Sequence, residues 1–244
     1  MMKSTNAWWV FAAIGLGVAC DDDDDKGSVM DAGTSDARVG DGAVPANFSF
    51  FVSSDTSATA NLGGLQAADQ RCQRLAASVG AGSKTWRAFL SVERDATNGN
   101  QPTHARDRIG DGPWYNARGA LLANDVASLL ARSGDAELFL DEHGAKINGQ
   151  WTGSPTPNEH DILTGTTSDG GVAVGKTCSD WTLGEATFAD GGAAAAQVGH
   201  SDGLGPSQNP APPYNSWHSV HESVSCQHLT MRGGSGLIYC FARD

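Results

Sequence analysis

Residues 64–92 read GLQAADQRCQRLAASVGAGSKTWRAFLSV, and a change of period inside this stretch sets the fold class. From Gly64 to Val79 the residues Leu65, Ala68, Cys72, Leu75, Ala76 and Val79 recur at helical spacing and share one face. Gly80 and Gly82 stop the helix, because glycine takes up the left-handed conformation at which helices end. From Thr85 to Val92 the pattern turns to alternation, with Trp86, Ala88, Leu90 and Val92 facing one way as in a strand. A helix followed at once by a strand, in a chain with 31 Gly and 9 Pro, predicts a loop-rich α+β domain instead of a helix bundle.

The flanking sequence extends this reading. Asn47–Ser53 (NFSFFVS) alternates Phe48, Phe50 and Val52 with Ser49, Phe51 and Ser53, as a strand does. The polar stretch Glu93–Gly112 is expected to loop out. Asn124 is placed to cap a short helix, Asp125–Arg132, presenting Val126, Leu129 and Leu130. Leu138–Ile147 reads as a hairpin about Glu142-His143-Gly144. Gly, Ser, Thr, Asn and Pro dominate Thr152–Lys176 and Gly199–Ser216, which predicts long loops. Gly236–Ala242 (GLIYCFA) is apolar on both faces and predicts a central strand. The expectation is one α+β domain over 47–244, with two helices, short antiparallel strands and long loops.

The N-terminal residues read as an address. Lys3 precedes the apolar run Ala7–Val18 (AWWVFAAIGLGV), which is short of the roughly 20 residues a membrane span needs. The run ends in Leu16-Gly17-Val18-Ala19-Cys20, which resembles the cleavage site of a bacterial lipoprotein precursor. That resemblance implies a signal peptide over 1–19 and a lipidated Cys20, although the usual leucine three places before the cysteine is Gly17 here. A plain secretory signal is the alternative. Residues 21–45 hold eight Asp against one Lys and one Arg, a charge of −6. Such a segment repels itself and packs against nothing, so 20–46 is expected to be an acidic, disordered tether.

The whole chain has 244 residues and a net charge of −12; with the tether at −6 and Lys3 at +1, residues 46–244 carry −7. That balance disfavours nucleic acid, polyanionic glycans and acidic membrane surfaces as partners.

Apart from Cys20, the cysteines are Cys72, Cys178, Cys226 and Cys240. Four cysteines in an exported domain imply two disulfides, with three possible connectivities. No pair has the spacing of a zinc knuckle.

The flanks of these cysteines carry a family resemblance. Leu65–Gln73 (LQAADQRCQ) leading into Thr85–Ser91 (TWRAFLS) resembles the endostatin domain of collagen, where a helix bearing the first cysteine precedes a similar strand. Pro113-Trp114-Tyr115-Asn116 with Leu121 and Leu122, Cys178-Ser179-Asp180-Trp181-Thr182, Ser225-Cys226-Gln227-His228 and Leu237–Phe241 are similar to its later segments, in the same order. With the lipoprotein-like leader, the chain resembles bacterial endostatin-like outer-membrane lipoproteins, some spirochaetal members of which bind extracellular-matrix and complement proteins. The resemblance implies a C-type-lectin-like fold, nested disulfides Cys72–Cys240 and Cys178–Cys226, and a non-enzymatic, lipid-anchored binding protein of the outer membrane or cell surface. A secreted or periplasmic location is the alternative. Endostatin's heparin and zinc sites do not carry over, since the domain is acidic and no histidine lies between Cys20 and His104. The calcium motifs of the wider lectin fold are also missing, and no cofactor is expected.

Two sets of residues stand out as site candidates. Trp151 and Trp217 lie in predicted loops beside Gly, Ser and His, where aromatic side chains make binding contacts, whereas Trp86, Trp114 and Trp181 fall in core segments. His218 and His221 with Glu222 have the i, i+3 spacing of a helical metal site, which would suit a metal-dependent hydrolase. His200-Ser201-Asp202, Glu159-His160-Asp161 and His228 lie nearby in sequence or offer a weaker cation site. Solvated loop histidines and structural tryptophans are the preferred reading of these residues, and a structural envelope protein without a soluble ligand is a further alternative to the binding protein.

Overall fold

The computed structural model of the protein describes residues 44–244 apart from Ser154. The signal peptide expected over 1–19, Cys20 and all but the last three residues of the expected tether lie outside the described residues. In chain order the elements are β1 (Phe50–Val52), α1 (Leu65–Ser78), β2 (Trp86–Ala88), β3 (Val92–Asp95), β4 (Gln101–Thr103), β5 (Trp114–Tyr115), β6 (Leu121–Ala123), α2 (Val126–Ala131), β7 (Asp161–Leu163), β8 (Gln197–His200), β9 (His221–Glu222) and β10 (Gly234–Ala242). Among the described residues no helix is long and apolar enough to cross a membrane.

β10 organises the fold. Cys240 pairs with Phe51 of β1 on one edge and Ala88 of β2 on the other, both antiparallel. Its N-terminal half pairs in parallel with β7, Gly234 facing Asp161 and Ile238 facing Leu163. The main sheet then continues from β7 through β8 to β9, giving the order β1-β10-β7-β8-β9. All nine residues of β10 are buried. Leu237, Tyr239 and Phe241 enter an aromatic cluster with Phe50, Phe89 and Trp217, while Ile238, Cys240 and Ala242 enter a second cluster beneath α1. Burial on both faces is what its unbroken apolar run calls for.

α1 places Ala68, Cys72 and Ala76 against that second cluster. Its Arg71 side chain is also drawn inward, donating to the Gly236 carbonyl at 2.8 Å and pairing with Asp55. Cys72 joins Cys240 and Cys178 joins Cys226, so the outer bridge spans 168 residues and the inner one 48. Closing loops of that length stabilises the folded chain by roughly 4–5 kcal/mol each in the chain-entropy picture. Cys178–Trp181 form a single turn with positive φ at all four residues, 48° to 67°, so this is a left-handed turn and adds no third right-handed helix.

Several expectations are corrected. The strand expected over 85–92 breaks into β2 and the start of β3: the Phe89 amide still donates to the Tyr239 carbonyl across the sheet, but the Leu90 amide turns back to the Ala88 carbonyl at 2.9 Å. The stretch 93–112 folds into the β3–β4 hairpin, with Val92 opposite Thr103. The α2 cap is Asp125, not Asn124: its carboxylate accepts from the Ser128 amide at 2.7 Å while Ser128 answers in a capping box. The hairpin over 138–147 reduces to one bridge, Leu140 to Lys146, around a turn in which Asp141 accepts the His143 and Ala145 amides. The loops expected over 152–176 and 199–216 contain β7 and the end of β8, and β7 makes the sheet mixed, not purely antiparallel.

Candidate functional site

The register of β7, β8 and β9 gathers four chemically active side chains. Asp161 lies opposite His200, and Leu163, Val198 and His221 form the neighbouring row across the three strands. Residues opposite or diagonal on one sheet face are neighbours, so Asp161, His200 and His221 share that face. His160, one residue before β7, stacks its ring on His200 at 4.2 Å with 16° between the planes.

The polar atoms converge. Asp161 Oδ1 is 3.3 Å from His160 Nε2, 3.2 Å from His200 Nε2 and 3.8 Å from His221 Nε2. His200 Nε2 and His221 Nε2 are 3.0 Å apart. Behind the cluster every imidazole is held from its other nitrogen. His160 Nδ1 meets Asp202 Oδ1 at 2.8 Å, His200 Nδ1 meets the Tyr214 carbonyl at 3.1 Å, and His221 Nδ1 meets the Glu222 carbonyl at 2.9 Å. A carbonyl only accepts, so the two carbonyl-bound rings carry a proton on Nδ1, and in their neutral form each turns an Nε2 lone pair inward. His160, Asp161 and His200 are buried, and the His221 side chain is 38% exposed. Asp161 Oδ1 is buried without a hydrogen-bond partner.

Asp202 braces the arrangement. Its carboxylate accepts the Leu204 amide at 3.1 Å and the Trp151 amide at 3.3 Å in addition to its contact with His160. Burial pushes its carboxyl up, but the His160 hydrogen bond and these contacts outweigh that and hold it below the usual carboxylate range. Gly149 must be glycine to pass: a Cβ there would lie 2.4 Å from Asp202 Oδ2.

The pairing of His218 with His221 is not found. The two residues lie three apart, but bends at 217, 218 and 220 precede the two-residue β9, and the two side chains reach different partners. His218 Nε2 meets the Ser168 carbonyl at 3.1 Å, and its ring packs on Trp217 and Phe89. Burial lowers its pKa against the raising effects of that carbonyl and of Asp169. Glu222 turns away to Lys176, 2.6 Å distant, and His228 lies by Ser225.

Trp217 is also corrected: it is fully buried in the aromatic cluster, with its indole N–H donating to the Leu129 carbonyl at 2.8 Å and its own carbonyl accepting from Tyr239 Oη at 2.6 Å. It is a core residue, reached by a loop that folds inward because the short strands leave the core unfilled. Trp151 is half-buried; its N–H donates to Ile147 at 2.8 Å and the Lys146 ammonium sits 4.5 Å over its ring. Trp86, Trp114 and Trp181 are core, as expected.

No protein-family model matches the chain, and no curated protein matches it.

Proposed function

We propose that this chain is an envelope lipoprotein of endostatin-like, C-type-lectin-like fold, which presents a non-enzymatic binding surface for a protein or neutral glycan beyond the membrane. The observation that carries this reading is the separation of two ends along β10. The chain enters the domain at Val44–Phe48, beside Phe50, which pairs with Phe241 at one end of β10. Gly234 at the other end pairs with Asp161, about 20 Å away at the usual strand rise. There the segments before β7 and after β8 meet, with Gln208 donating to the Trp151 carbonyl at 3.2 Å and Asp202 holding the Trp151 amide. A tether at one end and joined loops at the other suits display. The order of the two nested bridges supports the lectin-like assignment. The hydrolase alternative loses its ligand pair, since His218 and His221 have separate partners.

The test has two parts. Full-length protein expressed in a Gram-negative host should partition into detergent, and Cys20→Ser should shift it to the aqueous phase. Matrix proteins, serum proteins and neutral glycans should then be screened against wild type and Trp151→Ala. Aqueous partition of the wild type, or binding that collapses with salt as heparin binding does, would refute the reading.

A further inference from the structure

We propose that His160 Nε2, Asp161 Oδ1 and His200 Nε2, with His221 Nε2 as a further donor beside His200, form a site for a divalent transition-metal ion of the zinc class, tying β7, β8 and β9 together. This goes beyond the binding reading and does not depend on it.

The argument starts from proton bookkeeping. With Nδ1–H of His200 and His221 committed to the Tyr214 and Glu222 carbonyls, their neutral rings present two bare lone pairs to each other at 3.0 Å. Asp161 Oδ1, 3.2 Å from one and 3.8 Å from the other, adds a third acceptor and has no hydrogen-bond donor of its own. His160 brings a fourth donor atom at 3.3 Å, its ring fixed from behind by Asp202. A buried knot of acceptors without donors is unfavourable unless a cation occupies its centre.

The spacing matches such a cation. Tetrahedral zinc binds nitrogen and oxygen at about 2.0–2.2 Å, which separates its ligand atoms by about 3.3–3.6 Å. The three separations from Asp161 Oδ1 and the one between His200 and His221 run from 3.0 to 3.8 Å, and the ligand atoms of His160, Asp161 and His200 all lie within 4.8 Å of one another. Imidazole nitrogen selects zinc, cobalt, nickel or copper over calcium and magnesium, which take six or more oxygens. Partners behind each histidine, a carboxylate or a carbonyl, are the arrangement by which metal-binding imidazoles are oriented. Three of these donors are buried and His221 takes the remaining side, which leaves no open position for substrate, so the ion's role is structural. The consequence is mechanical: β9 has two residues and only Gln197 and Val198 as ladder partners, and coordination through His221 would fasten this edge to the sheet.

The experiment uses the full chain without a histidine tag. After chelation and dialysis, cobalt(II) and zinc(II) are titrated in, with calcium as a parallel arm. Expected are one ion per chain, the intense visible absorption of tetrahedral cobalt with its colour lost on adding zinc, and a raised unfolding temperature with zinc but not calcium. His221→Ala, the most exposed ligand and so the least needed for folding, should weaken cobalt binding by more than about 100-fold, since even a partner behind a ligand is worth about 10–100-fold. His143→Ala, remote and exposed, should bind as wild type does. Circular dichroism and intact disulfides establish that each variant is folded. Absence of stoichiometric binding in folded wild type, a weak octahedral cobalt spectrum, or unaltered binding in His221→Ala would overturn the proposal; the first outcome would leave a proton-sharing histidine cluster in its place.

Discussion

Asp202 stands 2.8 Å behind His160 and also caps the Trp151 amide at 3.3 Å, so one carboxylate serves both the histidine cluster and the adjoining loop. Asp202→Asn keeps the shape and removes the charge. It should weaken cobalt binding by about 10–100-fold and speed amide exchange at Trp151 and Leu204, two residues whose N–H groups rest on the same side chain. Titration and hydrogen exchange on one sample read both effects; a loss of metal without faster exchange would show that the loop is held by other means.

Gly199 sits in β8 beside His200, and a Cβ on it would meet the Trp217 carbonyl oxygen at 1.9 Å. Backbone cannot swing aside as a flexible side chain does. Gly199→Ala should therefore destabilise by about 1–3 kcal/mol or more through overpacking. For a domain of this size that lowers the unfolding temperature by several degrees, at about 2–4 °C per kcal/mol. A melting curve matching wild type would show that β8 and the segment at Trp217 separate more easily than their contact implies.

Trp217 and Trp151 should part company under truncation. Trp217→Ala empties a fully buried position and should cost roughly 3–5 kcal/mol in denaturant unfolding. Trp151→Ala should leave the midpoint far closer to wild type, its ring being half-buried under Lys146. Equal losses in the two variants would mean that the 147–153 turn is itself part of the cooperative core.

His218 gives a pH dependence with a definite sign. Burial depresses its pKa, so the folded chain keeps it neutral while the unfolded chain takes up a proton near pH 6.5. Its contribution is full above about pH 6.5 and is lost as pH falls toward the depressed folded value. The stability gap between wild type and His218→Gln should therefore narrow on acidification, by up to about 1.4 kcal/mol per pH unit. Urea unfolding at three pH values suffices to check this; a constant gap would mean that the folded protein protonates His218 readily.

Much of the fold could be read from sequence where a pattern ran long enough. α1 was expected to within a residue at each end and β10 to within two residues at its start, since fourteen helical positions and an unbroken apolar run from Leu237 to Ala242 average out local accidents. Strands of two or three residues carry no such signal. β7 begins with Asp161 and β9 consists of His221 and Glu222, so neither looks like a strand in isolation. The cluster failed for the same reason. Glu159-His160-Asp161, His200-Ser201-Asp202 and His221 each drew notice, but a helical spacing joined His221 to the wrong partner. What unites the true set is cross-strand register, Asp161 against His200 and Val198 against His221, and that is a property of the folded sheet. Trp217 misled because Pro212, Pro213 and its polar neighbours resemble a surface loop, whereas short strands oblige loops to supply core side chains.

The place of β10 bears on when the domain can form. Its partners β1, β2 and β7 begin at residues 50, 86 and 161, yet the strand they share starts only at residue 234. A growing chain has therefore made most of the domain before its central ladder exists, and the pairings it awaits are nearly all long-range, the kind that form slowly. During synthesis the nascent chain therefore lacks its central ladder until its last residues are made. Cys72 waits for Cys240 until the last strand has been made.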